Sequence, residues 1–295
     1  AAAIRSGETK YTSVNGTPEL QRAILDRVER RIGLRYSPGE LAVGGGGKQV
    51  IFLALMATVH DGAEVIVPAP YWVSYPDMVA ANDGQAVVVP TREEDGFLLT
   101  PATLAAAITP RTTWLILNSP GNPTGAVYGR TELAALAQVL REHPQVHVLT
   151  DEIYDEIGFG AEPVPSLLLV APDLRDRVLL VNGVSKAYAM TGWRIGYGVG
   201  PAQLVKAMNT LQSQVSTCPS SVSQAAAAAA LSGDQSFIAE ANEIYRRRRE
   251  LVVAGINAIP GLSCTTPDGA FYVYVSCAGV LGTTAPDGRV IDSDE

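Results

Sequence analysis

Asn182-Gly-Val-Ser-Lys186-Ala-Tyr-Ala-Met-Thr-Gly-Trp-Arg194-Ile-Gly196 carries more information than any other stretch of this chain. Lys186 stands among small and apolar neighbours, Gly183, Val184, Ser185 and Ala187. That setting predicts a partly desolvated amine. Burial disfavours the ammonium form, so such an amine becomes a nucleophile near neutral pH. Schiff-base chemistry with an aldehyde cofactor needs a lysine of this kind. Arg194 offers a planar fork suited to a phosphate, and Ser185 adds a hydroxyl donor. Taken alone, the two cations read first as a solvated pair in a glycine-containing loop, because most lysines are solvated.

Working outward, an apolar strand over 177–182 leads directly to Lys186. Before it, the strand 146–150 ends in Thr150-Asp151-Glu152-Ile-Tyr154-Asp155-Glu156. An acid at the end of a buried strand is costly unless paired, and a protonated ring nitrogen is one such partner for Asp151. Glu152, Asp155 and Glu156 are expected at solvent or capping a helix. A strand at 112–117 runs into Asn118-Ser-Pro-Gly-Asn122-Pro-Thr-Gly125, a rigid turn. A strand at 64–68 runs into Ala-Pro70-Tyr71-Trp72-Val-Ser-Tyr75, the kind of loop that lies at the strand ends of an α/β sheet. Trp72 is either core or a flat face for a ring ligand, and Tyr71 is the weaker candidate. A strand at 85–90 and helices at 101–108 and 130–142 complete the alternation.

Residues 41–59 read as a short strand, the glycine turn Gly44 to Gly47, and a helix opening at Lys48. Glycines let backbone approach an anion, and the free first-turn N–H groups point at it. The spacing fits neither a P-loop, since Gln49 follows the lysine, nor a dinucleotide fingerprint. Thr17 with Pro18 and Glu19 predicts a helix start, and Leu20, Ile24, Val28 and Ile32 line one face of that helix. Tyr11, just before it, is by itself an ordinary loop tyrosine. The alanine run at 223–232 predicts a tightly packed helix without chemistry. A long helix over 235–258 carries Arg246 to Arg249; four successive residues point all round a helix and pair with Glu240, Glu243 and Glu250, so the run reads as structural. Residues 267–275 read as a turn and a strand.

Alternating strands and helices from 41 to 200 give an α/β class with a mostly parallel sheet sandwiched by helices. The expected division is a large domain over 1–240 and the beginning of a small α+β C-terminal domain over 241–295. Both ends read as cut within domain sequence. With 295 residues, 47% hydrophobic and 18% charged, the composition is that of a well-buried core, since charged residues usually reach about 25%. The net charge of −8 argues against a nucleic-acid partner but not against a phosphate held by local donors. No apolar run approaches about 18 residues, so no membrane span is expected. Cys218, Cys264 and Cys277 lack metal-like spacing and read as free thiols in a reducing compartment, the cytoplasm.

The string around Lys186 resembles the pyridoxal-phosphate lysine signature of class I aminotransferases, the fold-type I family. The resemblance extends through the glycine turn, the Trp72 loop, Asn-Pro-Thr-Gly and Asp-x-x-Tyr, and its local wording looks most like the bacterial aspartate and aspartate/prephenate branch. It implies that Lys186 forms a Schiff base with pyridoxal 5′-phosphate and moves the substrate's α-proton. It implies that Arg194, Ser185 and the backbone of Gly46, Gly47 and Lys48 hold the phosphate. By the same resemblance, Trp72 stacks on the pyridine ring, Asp151 pairs with its nitrogen, and Asn122 and Tyr154 bond its phenolic oxygen. Tyr11 matches a tyrosine that crosses a homodimer interface to the partner's phosphate. The implied reaction moves an amino group from an L-amino acid, aspartate in this branch, to a 2-oxo acid such as 2-oxoglutarate. Gly183 departs from members with a serine there. The family's carboxylate-binding arginine near the C-terminus has no match, since Arg289 stands in an Asp-Gly-Arg turn. A lyase or decarboxylase of the same fold, or a cofactor-sensing regulatory domain, would share the cofactor residues.

Overall fold

The computed structural model describes residues 1–293. Seven strands form one sheet: β1 (Leu41–Gly44), β2 (Glu64–Ala69), β3 (Gln85–Pro90), β4 (Thr112–Asn118), β5 (His147–Asp151), β6 (Val178–Gly183) and β7 (Gly196–Val199). Their order is β1-β7-β6-β5-β4-β2-β3. Pairing is parallel from β3 to β6, whereas β7 runs antiparallel to both β6 and β1. The helices are α1 (Ala2–Arg5), α2 (Pro18–Ile32), α3 (Gly47–Thr58), α4 (Ser74–Ala80), α5 (Pro101–Ala107), α6 (Arg130–Glu142), α7 (Leu167–Val170), α8 (Ala202–Val215), α9 (Ser221–Ser232) and α10 (Ser236–Asn257).

The strand alternation builds two cores, one on each face. In β4, Leu115 and Leu117 enter the layer that holds α2, α6 and α9, while Trp114 and Ile116 enter the layer of α3, α4 and α8. A strand buried on both faces is the expected state of a parallel strand with helices above and below. The helix starts follow their sequence signals. Thr17 accepts from the Leu20 amide with Pro18 at the first position, and Leu20, Ile24, Val28 and Ile32 are buried.

Two sequence expectations fail. Residues 267–275 form no named strand. Single bridges tie Gly158 to Gly269 and Ser263 to Ser276, because an alternating run becomes a strand only where a neighbouring edge pairs with it. The acids after β5 are not at solvent either. Glu152 and Asp155 are buried, and Asp155 is bidentate to Arg27 of α2 at 2.9 and 2.8 Å, with Glu156 3.0 Å from the same guanidinium. The period-2 alternation continues past the strand, so Asp151 faces one helix layer and Glu152 the other. The arginine run on α10 is structural as expected. Arg246 and Arg249 donate to the carbonyls of Phe159 and Pro267, and Glu243 pairs with Arg246 and Arg247.

Candidate active site

The carboxyl ends of β4, β5 and β6 set the site. Register places Asn118 beside Asp151 and Asp151 beside Val181, so three strand ends open on one cleft. The cleft, about 240 Å³, is lined by Gly47, Lys48, Trp72, Asn122, Asp151, Tyr154, Ser185, Lys186 and Arg194, together with Tyr75, Asn118, Ile153, Thr191 and Tyr272. The structure thus gathers nine of the eleven expected residues, from five segments that sequence reading had to join by resemblance. Of the expected set, Gly46 sits just behind the wall and Tyr11 lies outside it, 88% exposed.

One end of the cleft is built for an anion. Gly46, at φ 102°, is the N-cap of α3 and makes no side-chain cap bond, so the first-turn amides of Gly47 and Lys48 point outward. The Arg194 guanidinium lies against Gly46, where any Cβ would collide with it. It donates to the carbonyls of Thr191 at 2.9 Å and Gly45 at 3.0 Å. The close approach depends on β7: a Cβ on Gly196 would run into the Gly46–Gly47 backbone, and one on Gly198 would meet Val50 Cγ1 at 2.8 Å. The alternating glycines of Gly196-Tyr-Gly198 let α3 lie close on the sheet. That spacing was readable in the sequence, but its target, α3, was not.

The other end holds a buried acid. Asp151 Oδ2 accepts from the Tyr75 hydroxyl at 2.8 Å and Oδ1 from the Ile153 amide at 3.2 Å. Burial pushes its carboxyl up to about 6 despite both donors. A cationic ring nitrogen at this position would offset that cost. Asn118 joins the neighbouring turn to this end, donating to the Asp151 carbonyl at 2.9 Å and accepting from the Asn122 amide at 2.8 Å.

Between the two ends, the half-buried Lys186 places its amine 5.7 Å from the ring centroids of both Tyr154 and Phe271. Asn122 Nδ2 donates to the Tyr272 hydroxyl at 3.2 Å, and the Tyr272 and Tyr154 hydroxyls are 2.6 Å apart. Burial drives the Tyr154 phenol far above its ordinary range, so it stays a neutral hydroxyl at any working pH. Trp72 sets its edge against Tyr75, centroids 5.3 Å apart, and the Lys48 amine lies 4.7 Å over the Trp72 ring. Tyr71 faces a neighbouring recess with Pro70 and Tyr128 instead.

Tyr75 and Tyr272 were missed as site residues. Tyr75 stands in the aromatic loop already singled out, and its signal was its spacing from Trp72, one helical turn. Tyr272 had no local signal, because its partners are 118 and 150 residues away.

The donor set fits a flat, phosphorylated, nitrogen-containing ring: an anion cradle, a buried carboxylate, two donors for an oxygen, and an amine between them. The chain matches the family described as Aminotransferase class I and II over residues 2–286. It is 53% identical to the aspartate/prephenate aminotransferase of Cereibacter sphaeroides over 293 residues, 99% of this chain and 73% of that protein. It is 51% identical to the aspartate aminotransferase of Rhizobium meliloti over 292 residues, covering 99% and 71%. The crystal structure of the Rhizobium meliloti aspartate aminotransferase superposes with a TM-score of 0.98 at 50% identity, covering 99% of this chain and 73% of that one. The aromatic aminotransferase of Pyrococcus horikoshii superposes at 0.89 with 36% identity, covering 93% and 74%.

Proposed function

This chain belongs to the class I and II aminotransferases, and from that premise we propose that it moves the amino group of L-aspartate to 2-oxoglutarate. The family works with pyridoxal 5′-phosphate, which when bound supplies an aldehyde for the amino group and a ring that accepts the electron pair left by the α-proton. The observation that carries the reading is the convergence of Lys186, Asp151, Asn122, Tyr154 and Arg194 on one cleft.

Each residue has a task that follows from its place. The Lys186 amine takes the proton from the substrate Cα as a general base and, as an acid, would deliver it to the cofactor carbon across the shared nitrogen instead of back to Cα. Asp151, as carboxylate, holds the ring nitrogen in its cationic form. Asn122 and Tyr154 donate to the phenolic oxygen. Arg194, Ser185 and the amides of Gly47 and Lys48, at the Gly46 turn, take the phosphate. Trp72 bounds the ring. The charged side chains on the cleft are three cations, Lys48, Lys186 and Arg194, against one acid, Asp151. The phosphate takes up that excess, and the names of the two relatives point to aspartate as the amino donor.

The exposed Tyr11 supports a homodimer in which it reaches the partner's phosphate site. The same reading takes residues 1–240 as the large domain and those from 241 on as part of a small one. The free thiols of Cys218, Cys264 and Cys277 support a cytoplasmic setting. Among the described residues, no helix is long and apolar enough to cross a membrane.

The test is direct. Purified protein given cofactor, aspartate and 2-oxoglutarate should yield oxaloacetate and glutamate, and borohydride should fix the cofactor on Lys186. Lys186→Ala should lower turnover by at least about a thousandfold, within the range of general acid–base effects. Release of carbon dioxide or ammonia without amino transfer would overturn the reading.

A further inference from the structure

Tyr272 enters the cleft from outside the sheet. It follows α10 in a segment pinned by backbone bonds, Gly269 N–H to the Gly125 carbonyl at 2.9 Å and Ala270 N–H to the Ile157 carbonyl at 2.8 Å. Its ring stands edge-on to Tyr154, centroids 5.6 Å apart at 81°, and Phe271 packs on both rings at 4.9 and 5.4 Å. The hydroxyl is therefore held by its surroundings.

The donor inventory gives the hydrogen bonds a direction. An amide nitrogen only donates, so the Tyr272 oxygen accepts from Asn122 Nδ2 at 3.2 Å. The Tyr154 oxygen lies 2.6 Å from that of Tyr272, and either hydroxyl can be the donor; once a ligand oxygen takes the Tyr154 hydrogen, Tyr272 is left as the donor of the pair. With that hydrogen given to Tyr154, the one hydrogen of Tyr154 is not spent on Tyr272 and is left for the cleft. We propose that Tyr272 is a positioning residue of this site, a donor to Tyr154 that aims the Tyr154 hydrogen at the phenolic oxygen of the bound cofactor. The proposal rests on the aminotransferase reading. A hydroxyl that accepts one bond donates the next more strongly, so the chain Asn122 to Tyr272 to Tyr154 sharpens the last donor. A stronger donor stabilises the ionised oxygen and lowers the pH at which it forms.

The experiment is a pH titration of the holoenzyme's visible absorbance. Tyr272→Phe should raise the midpoint by about half a unit. Tyr154→Phe should raise it further, and the double variant should titrate with Tyr154→Phe, because Tyr272 acts only through Tyr154. Fluorotyrosine at position 272, a better donor of nearly the same shape, should move the midpoint down and needs no loss of packing. An unmoved midpoint in Tyr272→Phe, or shifts that add in the double variant, would overturn the proposal. Wild-type holoprotein without a titrating visible band would remove the aminotransferase reading as well. A titrating wild type with silent variants at 272 removes this inference alone.

Discussion

Asp151 and Glu152 are adjacent carboxylates with opposite surroundings. Asp151 opens on the cleft, where a cationic partner has room. Glu152 faces the other helix layer, with the Ser166 hydroxyl donating to it at 2.6 Å. Burial pushes the Glu152 carboxyl up from 4.5 to about 7. The sign follows from linkage: a raised acid costs nothing below pH 4.5, and its cost grows as pH rises toward 7 and then levels. Glu152→Gln should therefore gain about 2–3 kcal/mol of stability at pH 8 relative to its effect at pH 4.5. Urea unfolding of both proteins at the two pH values measures this, and a difference that does not change with pH would contradict it. At this scale the sequence was legible where a cleft residue stands in a local motif, as do Lys186, Asp151, Asn122 and Arg194. It was silent where a residue acts on another side chain. Tyr75 and Tyr272 matter through distances of 2.8 and 2.6 Å to groups far along the chain. Glu152 was misread because alternation was stopped at the strand end instead of carried one residue further.

Strands and helices were legible to within a residue or two wherever an apolar run was bounded by turn residues, as in β3, β4 and α6. The direction of β7 was not, since four residues carry no sign of pairing partner or orientation. Its glycines make the element testable. Gly196→Ala should push the Gly46–Gly47 turn off the sheet and weaken cofactor binding by at least tenfold, a loss of about 1.4 kcal/mol. Gly192→Ala, in the turn just before β7 and with open space around its Cβ position, should leave affinity unchanged. Fluorescence titration with pyridoxal phosphate compares them, and equal behaviour would show that β7 does not press on the turn. A second element-scale joint is Arg27, which ties α2 to the loop after β5. Arg27→Ala leaves Asp155 buried without its closest cation and should cost about 3–5 kcal/mol in denaturant unfolding. A loss under about 1 kcal/mol would mean that Arg31, 3.4 Å from the same carboxylate, carries the charge balance instead.

The α/β class and the mostly parallel sheet followed from strand and helix alternation. The strand order did not, because it depends on long-range pairing that periodicity cannot encode. The proposed homodimer belongs to this scale as well. Tyr11 is exposed and does not line the cleft of its own chain, so the proposed role at the phosphate is one played in a second copy. Tyr11→Phe combined with a further interface-side lesion, mixed with Lys186→Ala and re-equilibrated, should regain part of the activity that each lacks alone. Heterodimers that form yet stay inactive would count against Tyr11 acting across the interface.

The pairing of β1 with β7 sets a schedule for synthesis. β1 has no other neighbour in the sheet, and its register joins Leu41–Gly44 to Gly196–Val199. On the ribosome β1 therefore waits for roughly 150 further residues, about 8 to 30 seconds at ordinary elongation rates. The glycine turn and Arg194 cannot meet before then. A nascent chain stalled short of β7 should not capture the phosphate of the cofactor, whereas one released beyond it should.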